Sequence, residues 1–172
     1  AGTESPMSSP FCCVAVLSRE NHPMWVRVLE PHAQDSQEGT SEEPPQELEE
    51  EDPLRFHFLV HSALDVFEER DRSNAAAADT LCDTYCGLLF PVEDFVVYGY
   101  TTKTKLKLVA VLEDAAYLDA AMQEFFERLH VLVMNALGNP FHRPGNYLRS
   151  AKLDASLDAL IRELQGRVYL KK

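Results

Sequence analysis

"GLLFPVEDFVVYGYTTKTKLKLVAVLED", Gly87 to Asp114, decides the fold. It holds short apolar runs rich in β-branched and aromatic residues, broken at Glu93–Asp94 and again at "TTKTK", Thr101 to Lys105. Runs of this kind between turn residues predict strands over about Cys86–Pro91, Phe95–Tyr100 and Leu106–Leu112. The stretch carries no recognisable catalytic group. Glu93 and Asp94 are adjacent, neighbours on a strand point to opposite faces, and the pair reads as the bend between strands.

Outward on the N-terminal side, "FCCVAVL", Phe11 to Leu17, is a continuous apolar run and predicts a buried strand. "MWVRVL", Met24 to Leu29, alternates, and "SRENHP" between the two predicts an antiparallel hairpin. Phe56, Val60, Ala63, Leu64 and Phe67 recur at helical spacing within Leu54 to about Ala78. On the C-terminal side, Tyr117 to about Leu137 is a second helix, with Gly138 as its stop and Pro140 beyond. Ala151 to about Gln165 is a third, with Leu153, Leu157, Leu160, Ile161 and Leu164 in one stripe. The order β-β-α-β-β-β-α-α predicts an α+β domain: a five-stranded antiparallel sheet with helices packed on it.

The net charge of −12 disfavours nucleic acid and anionic lipid as partners of the surface as a whole. Most of that charge sits in one place. Pro31 to Pro53 has nine acids and no Lys or Arg, which leaves −3 for the other 149 residues. Rich in Glu, Pro, Ser and Gln, with Leu48 its only large aliphatic residue, this segment is expected to be a disordered insert, either a spacer or an acidic docking arm. Residues 1–10 are expected to be a flexible N-terminal end, the six before Met7 matching an added remnant, and 11–172 a single domain. No apolar run reaches the roughly 18–20 residues that span a bilayer, and no signal peptide is visible. Cys12, Cys13, Cys82 and Cys86 do not form a secreted disulfide framework, and a reducing cytosolic setting is expected.

Candidate chemistry is sparse. "HFLVH" places His57 and His61 at i and i+4, with Asp65 one turn on, a spacing that could hold zinc in a small metal-dependent enzyme. The glutamate of a metalloprotease helix is missing, and half-buried helix histidines explain the pattern equally simply. "CDTYC" lacks the second ligand pair that a zinc site needs. No nucleophile elbow and no phosphate-binding glycine loop is present. Lys103, Lys105 and Lys107 make a small basic group at a hairpin tip: a solvated turn, or a weak contact for an acidic protein or phospholipid head groups.

Three stretches carry a resemblance. "FHFLVHSALDVFEER", Phe56 to Arg70, "GLLFPVEDFVVYGYTTKTKLKLVAV", and "NPFHRPGNYLRSAKLD", Asn139 to Asp154, together resemble the longin-fold, sedlin-related subunits of the TRAPP vesicle-tethering complex. With the first hairpin they cover nearly the whole chain outside the insert. Phe67 departs from the family pattern, which often has Val there.

The resemblance implies a longin-like fold and a non-enzymatic assembly subunit without cofactors. The implied complex exchanges nucleotide on Rab GTPases in ER-to-Golgi and Golgi transport, with the exchange site on other subunits. Implied partners are the subunit 6 protein and related small subunits, and a large TRAPP II subunit. The implied location is cytoplasmic, peripheral at ER–Golgi intermediate and Golgi membranes, and perinuclear. Alternatives are sedlin itself or another longin-type trafficking protein. Interface candidates are Asp65, His61 and Phe58 on the first helix, and Lys103 and Lys105 on the hairpin. Asp65 matches the family's "LD" position and serves either a partner or its own fold. The surfaces expected to face neighbours are this helix and a sheet face left uncovered by helices. Asn139, Pro140, Phe141 and Pro144, with Tyr98 and Gly99, form the structural signature, the loop Asn139–Pro144 being expected to dock the last helix on the domain.

Overall fold

In a computed structural model that describes residues 9–29, 53–74 and 84–169, the elements follow the predicted order. They are β1 (Phe11–Leu17), β2 (Pro23–Val28), α1 (Pro53–Asn74), β3 (Thr84–Val92), β4 (Phe95–Thr101), β5 (Lys107–Glu113), α2 (Asp119–Leu137) and α3 (Ala151–Leu164). All strand pairs are antiparallel and the sheet order is β2-β1-β5-β4-β3. The two hairpins of the sequence thus meet through β1 and β5, the central strands, whose apolar runs are buried almost end to end. A strand covered on both faces needs such a run rather than an alternating one.

Side chains alternate between two cores. On one face Val14, Val16, Tyr98, Tyr100, Leu108 and Ala110 pack against α2 and α3 through Phe125, Phe126, Leu129, Leu157 and Leu164. On the other, Ala15, Leu17, Val97, Val109 and Val111 pack against α1 through Phe56, Leu59, Val60, Ala63 and Phe67. The expectation of an uncovered sheet face is corrected here: helices close both faces, because both sets of alternating side chains are apolar.

Element ends differ from the sequence reading for local reasons. Tyr117 is not helical: its hydroxyl donates to the Glu113 carbonyl at 2.6 Å and its backbone bridges Tyr169, so α2 starts at Asp119 after an extended Leu118. β3 is longer than expected, and shifts register around Gly87, which takes φ +70. A residue without Cβ accommodates such a bulge. Gly138 ends α2 in a right-handed conformation rather than the left-handed one that favours glycine. Pro10, assigned to the flexible end, is buried, and its carbonyl accepts from Glu113 N at 2.9 Å. Pro53, assigned to the insert, opens α1. The rest of the insert and Ala78 lie outside the described residues.

α3 begins where Ser150, extended at φ −147, accepts on its hydroxyl from Leu153 N at 3.2 Å. Ser150→Ala should lower unfolding stability by about 1 kcal/mol, read from chemical denaturation. A loss below the fitting error would remove the cap as the device that starts α3.

Burial raises Tyr85, Tyr98, Tyr117 and Tyr169 above the usual 10.0, with Asp119 reinforcing it at Tyr85 and Tyr98, and it pushes Cys13 up to about 12. These groups stay protonated in the folded chain where the unfolded chain has lost its protons. Stability is therefore full below their unfolded values and falls as pH rises past about 9–10. The expected slope is on the order of 1 kcal/mol per pH unit, allowing for the solvent contact of the half-buried tyrosines. Thermal melts from pH 8 to 11 check this; a constant Tm across that range would contradict it.

Candidate protein-interaction surface

Both sheet edges are occupied from within. On edge strand β2, Tyr147 Oη accepts from Val26 N at 2.8 Å and donates to Val26 O at 3.1 Å, and Leu148 N donates to Met24 O at 2.6 Å. On edge strand β3, the Arg70 guanidinium reaches the Cys86 and Leu88 carbonyls. Side chains laid along open strand edges guard against edge-to-edge pairing. At these positions the edges do not offer themselves to an added strand.

The outer face of α1 is different. At 100° per residue, Leu54, Phe58, His61 and Asp65 fall within one narrow arc, opposite the buried Phe56, Val60, Ala63 and Phe67. Leu54 is 72% exposed and Phe58 69%. His57, His61 and Asp65 are exposed and make no hydrogen bond or ion pair with any described residue. Asp65 therefore does not cap or brace its own fold among these residues. Among the described residues no group of three His, Cys, Asp or Glu has metal-holding geometry, so His57, His61 and Asp65 line a helix face rather than a chelate. Cys12, Cys13 and Cys86 form no disulfide.

α1 is a braced platform. Arg55 sits 4.9 Å over the Phe95 ring and pairs with Glu93 in the β3–β4 turn. Farther along, Glu68 accepts from Asn21 Nδ2 at 3.2 Å, and Asn21 accepts from Lys107 Nζ at 2.6 Å. This corrects the basic hairpin patch. Lys107 is buried, and burial lowers its ammonium from its ordinary value of 10.5. Lys105 turns toward Asp71 of α1 at 3.8 Å and so lies beside the C-terminal half of α1, while Lys103 is exposed at the hairpin.

Gly99 lets α1 lie close. A Cβ there would come within 2.7 Å of the Phe67 ring and 2.8 Å of Leu89. Tyr98, the other signature residue of that strand, faces the opposite core and meets Tyr117 edge-on. In the Asn139–Pro144 loop, Asn139 Oδ1 accepts from Phe141 N at 3.0 Å, an Asx turn that ends with Phe141 91% exposed. The docking expected of this loop belongs instead to Tyr147 and Leu148, whose backbone and hydroxyl reach β2, while Pro140, Phe141 and Pro144 stay in solvent. Leu54 was missed as a surface residue, although its i, i+4 spacing from Phe58, off the buried stripe, was available in the sequence.

A closed two-core α+β domain of this element order and sheet topology has a longin-like fold. Comparison with known proteins agrees. The profile of the family described as Sedlin matches residues 16–163. A Bos taurus "Trafficking protein particle complex subunit 2-like protein" is 31% identical over 151 residues, 87% of this chain and 95% of its own length. The Dictyostelium discoideum protein of the same name is 33% identical over 153 residues, covering 88% and 96%. A Schizosaccharomyces pombe "Transport protein particle 20 kDa subunit" is 23% identical over 134 residues, covering 72% and 92%. This chain belongs to the sedlin family, a family of non-catalytic subunits of trafficking complexes.

Proposed function

We propose that this protein is a non-catalytic assembly subunit of a TRAPP complex, and that it binds a neighbouring subunit through the outer face of α1. The observation that carries the reading is the exposed Leu54–Phe58 pair beside Asp65 on a helix whose opposite face is locked to the sheet. Single exposed apolar residues are ordinary, but an apolar pair on one turn, edged by His61 and a carboxylate that pairs with no described residue, has the make-up of a small interface centre. The names of the relatives support the complex: they are subunits of trafficking particles. In this role the protein would sit beside the subunit 6 protein or a related small subunit. It would help attach a large TRAPP II subunit, and serve Rab GTPases only indirectly. It would act in ER-to-Golgi and Golgi transport, from the cytoplasmic surface of those membranes and the perinuclear region. No described helix is long and apolar enough to cross a membrane, which fits peripheral attachment through partners.

Gentle purification of the tagged chain from its own cells, with mass spectrometry of what comes with it, tests this. Recovery of other TRAPP subunits is expected. Asp65→Tyr should reduce that recovery severalfold at unchanged Tm, since a bulky ring replaces an exposed carboxylate that braces no described residue. Wild-type recovery of every partner by a folded Asp65→Tyr variant would remove Asp65 from the interface.

A further inference from the structure

Among the described cations, Arg27, Arg55, Arg72, Lys105, Arg128 and Arg167 hold carboxylates. Arg143, Arg149, Lys152 and Arg162 hold none among the described residues and are exposed. Arg143 and Arg149 line one groove in the loop before α3, and Lys152 and Arg162 follow at exposed positions of that helix, along which Ala155 and Ala159 are also exposed. The sequence has no acid from Arg128 through Leu153. The acids of α3 are all engaged among the described residues: Asp154 and Asp158, both half-exposed, by Arg27 of β2, and Glu163 by Arg128. In a chain of net charge −12, this is a basic track with nothing described upon it.

The track ends where the acidic segment begins. A groove that joins the end of β2 to the end of α3 is lined by Leu29, Arg162 and Gln165 together with the Arg27–Asp158 ion pair. Leu29, pinned there by its N–H to the Cys12 carbonyl at 2.8 Å, is the last described residue before the acid-rich stretch. Asp35, Glu38, Glu42 and Glu43 follow within 14 residues of it, a reach of up to roughly 45 Å, whereas Lys152 lies about 15 Å along α3 from Arg162. We propose that Arg149, Lys152 and Arg162 form the docking surface for this chain's own acidic segment, through Asp35–Glu43. Charge complementarity and a tether that begins in the same groove select this occupant: the local concentration of those carboxylates is on the order of millimolar, far above that of a partner in solution. Docking there leaves the outer face of α1, across the sheet, open.

Carbodiimide cross-linking of the full chain at about 20 mM salt reads the contact. Lys152 should join carboxylates of Asp35–Glu43 with a yield about fivefold above that of Lys103 and Lys105, falling about fivefold in 0.5 M NaCl as the charges are screened. Arg149→Gln/Arg162→Gln, two exposed substitutions, should lower the Lys152 yield at unchanged Tm. Equal yields at all three lysines, or a salt-independent yield at Lys152, would overturn the proposal. Cross-links that join differently labelled copies in a mixed-isotope sample would also overturn it, giving the surface to a second copy of the chain.

Discussion

Phe58→Glu is expected to abolish assembly while leaving the domain folded. The ring is 69% exposed and on the side of α1 away from the core, so its replacement should move unfolding stability by no more than about 0.5 kcal/mol. In a complex the same ring would be central, with Leu54 one turn before it and His61 and Asp65 one and two turns after. Truncated or charged aromatic anchors at interface centres cost about 2–4 kcal/mol, an affinity loss of roughly 30- to 700-fold. The glutamate adds a carboxylate beside Asp65, which worsens any contact built to meet one charge. Binding measured against purified partner subunits, with a melt of each variant, checks both halves. A folded Phe58→Glu variant that binds within threefold of wild type would move the interface elsewhere on the domain, with the exposed Phe141 loop the next surface to examine.

The largest change in stability is expected where α1 meets the sheet. Phe67→Ala removes a buried ring seated over Gly99 and should cost about 3–5 kcal/mol. Gly99→Ala should cost about 1–3 kcal/mol, because the new methyl would meet the Phe67 ring and the Leu89 side chain at distances real side chains do not adopt. The two sites touch each other, so their effects should not add: with Phe67 already alanine, the added methyl meets only the Leu89 side chain, and Gly99→Ala should cost less than its single-variant value. Urea denaturation of the four proteins of this cycle measures the coupling. Additive losses would mean that Leu89, not Phe67, sets the cost at Gly99. In either case a loosened α1 carries its outer face with it, and assembly should weaken in these variants even though neither residue touches a partner.

The sheet was legible because its pattern is local. The bounds of Phe11–Leu17 are legible to the residue, since the apolar run stops at Pro10 and Ser18, and turn residues separate the three later strands from one another. Helix stripes were legible for the same reason. What sequence periodicity did not show was long-range. The spacing of Tyr117 fits α2, but its hydroxyl bond to the Glu113 carbonyl and its contacts with Tyr98 and Tyr169, distant in sequence, hold it outside the helix. Lys107 looked like part of a solvated basic tip until Asn21, 86 residues away, was found to hold its ammonium in a buried position. The covering of the second sheet face needed both the alternation within β1, β4 and β5 and the position of α1, which no single stretch contains. The candidate surface was half legible: Phe58, His61 and Asp65 could be named from the first-helix motif, but Leu54 and the lack of any described partner for Asp65 are properties of the folded molecule.

Hydroxyl-radical footprinting of the free chain and of the purified complex is the measurement that bears most directly on assembly through α1. Phe58 and Leu54 should be oxidised readily in the free protein, in keeping with their exposure, and be protected at least about fivefold in the complex, as buried anchors of an interface are. Val131 on α2, also exposed, serves as the comparison and should label equally in both states. Unchanged oxidation of Phe58 and Leu54 in a complex that demonstrably contains this chain would contradict the account.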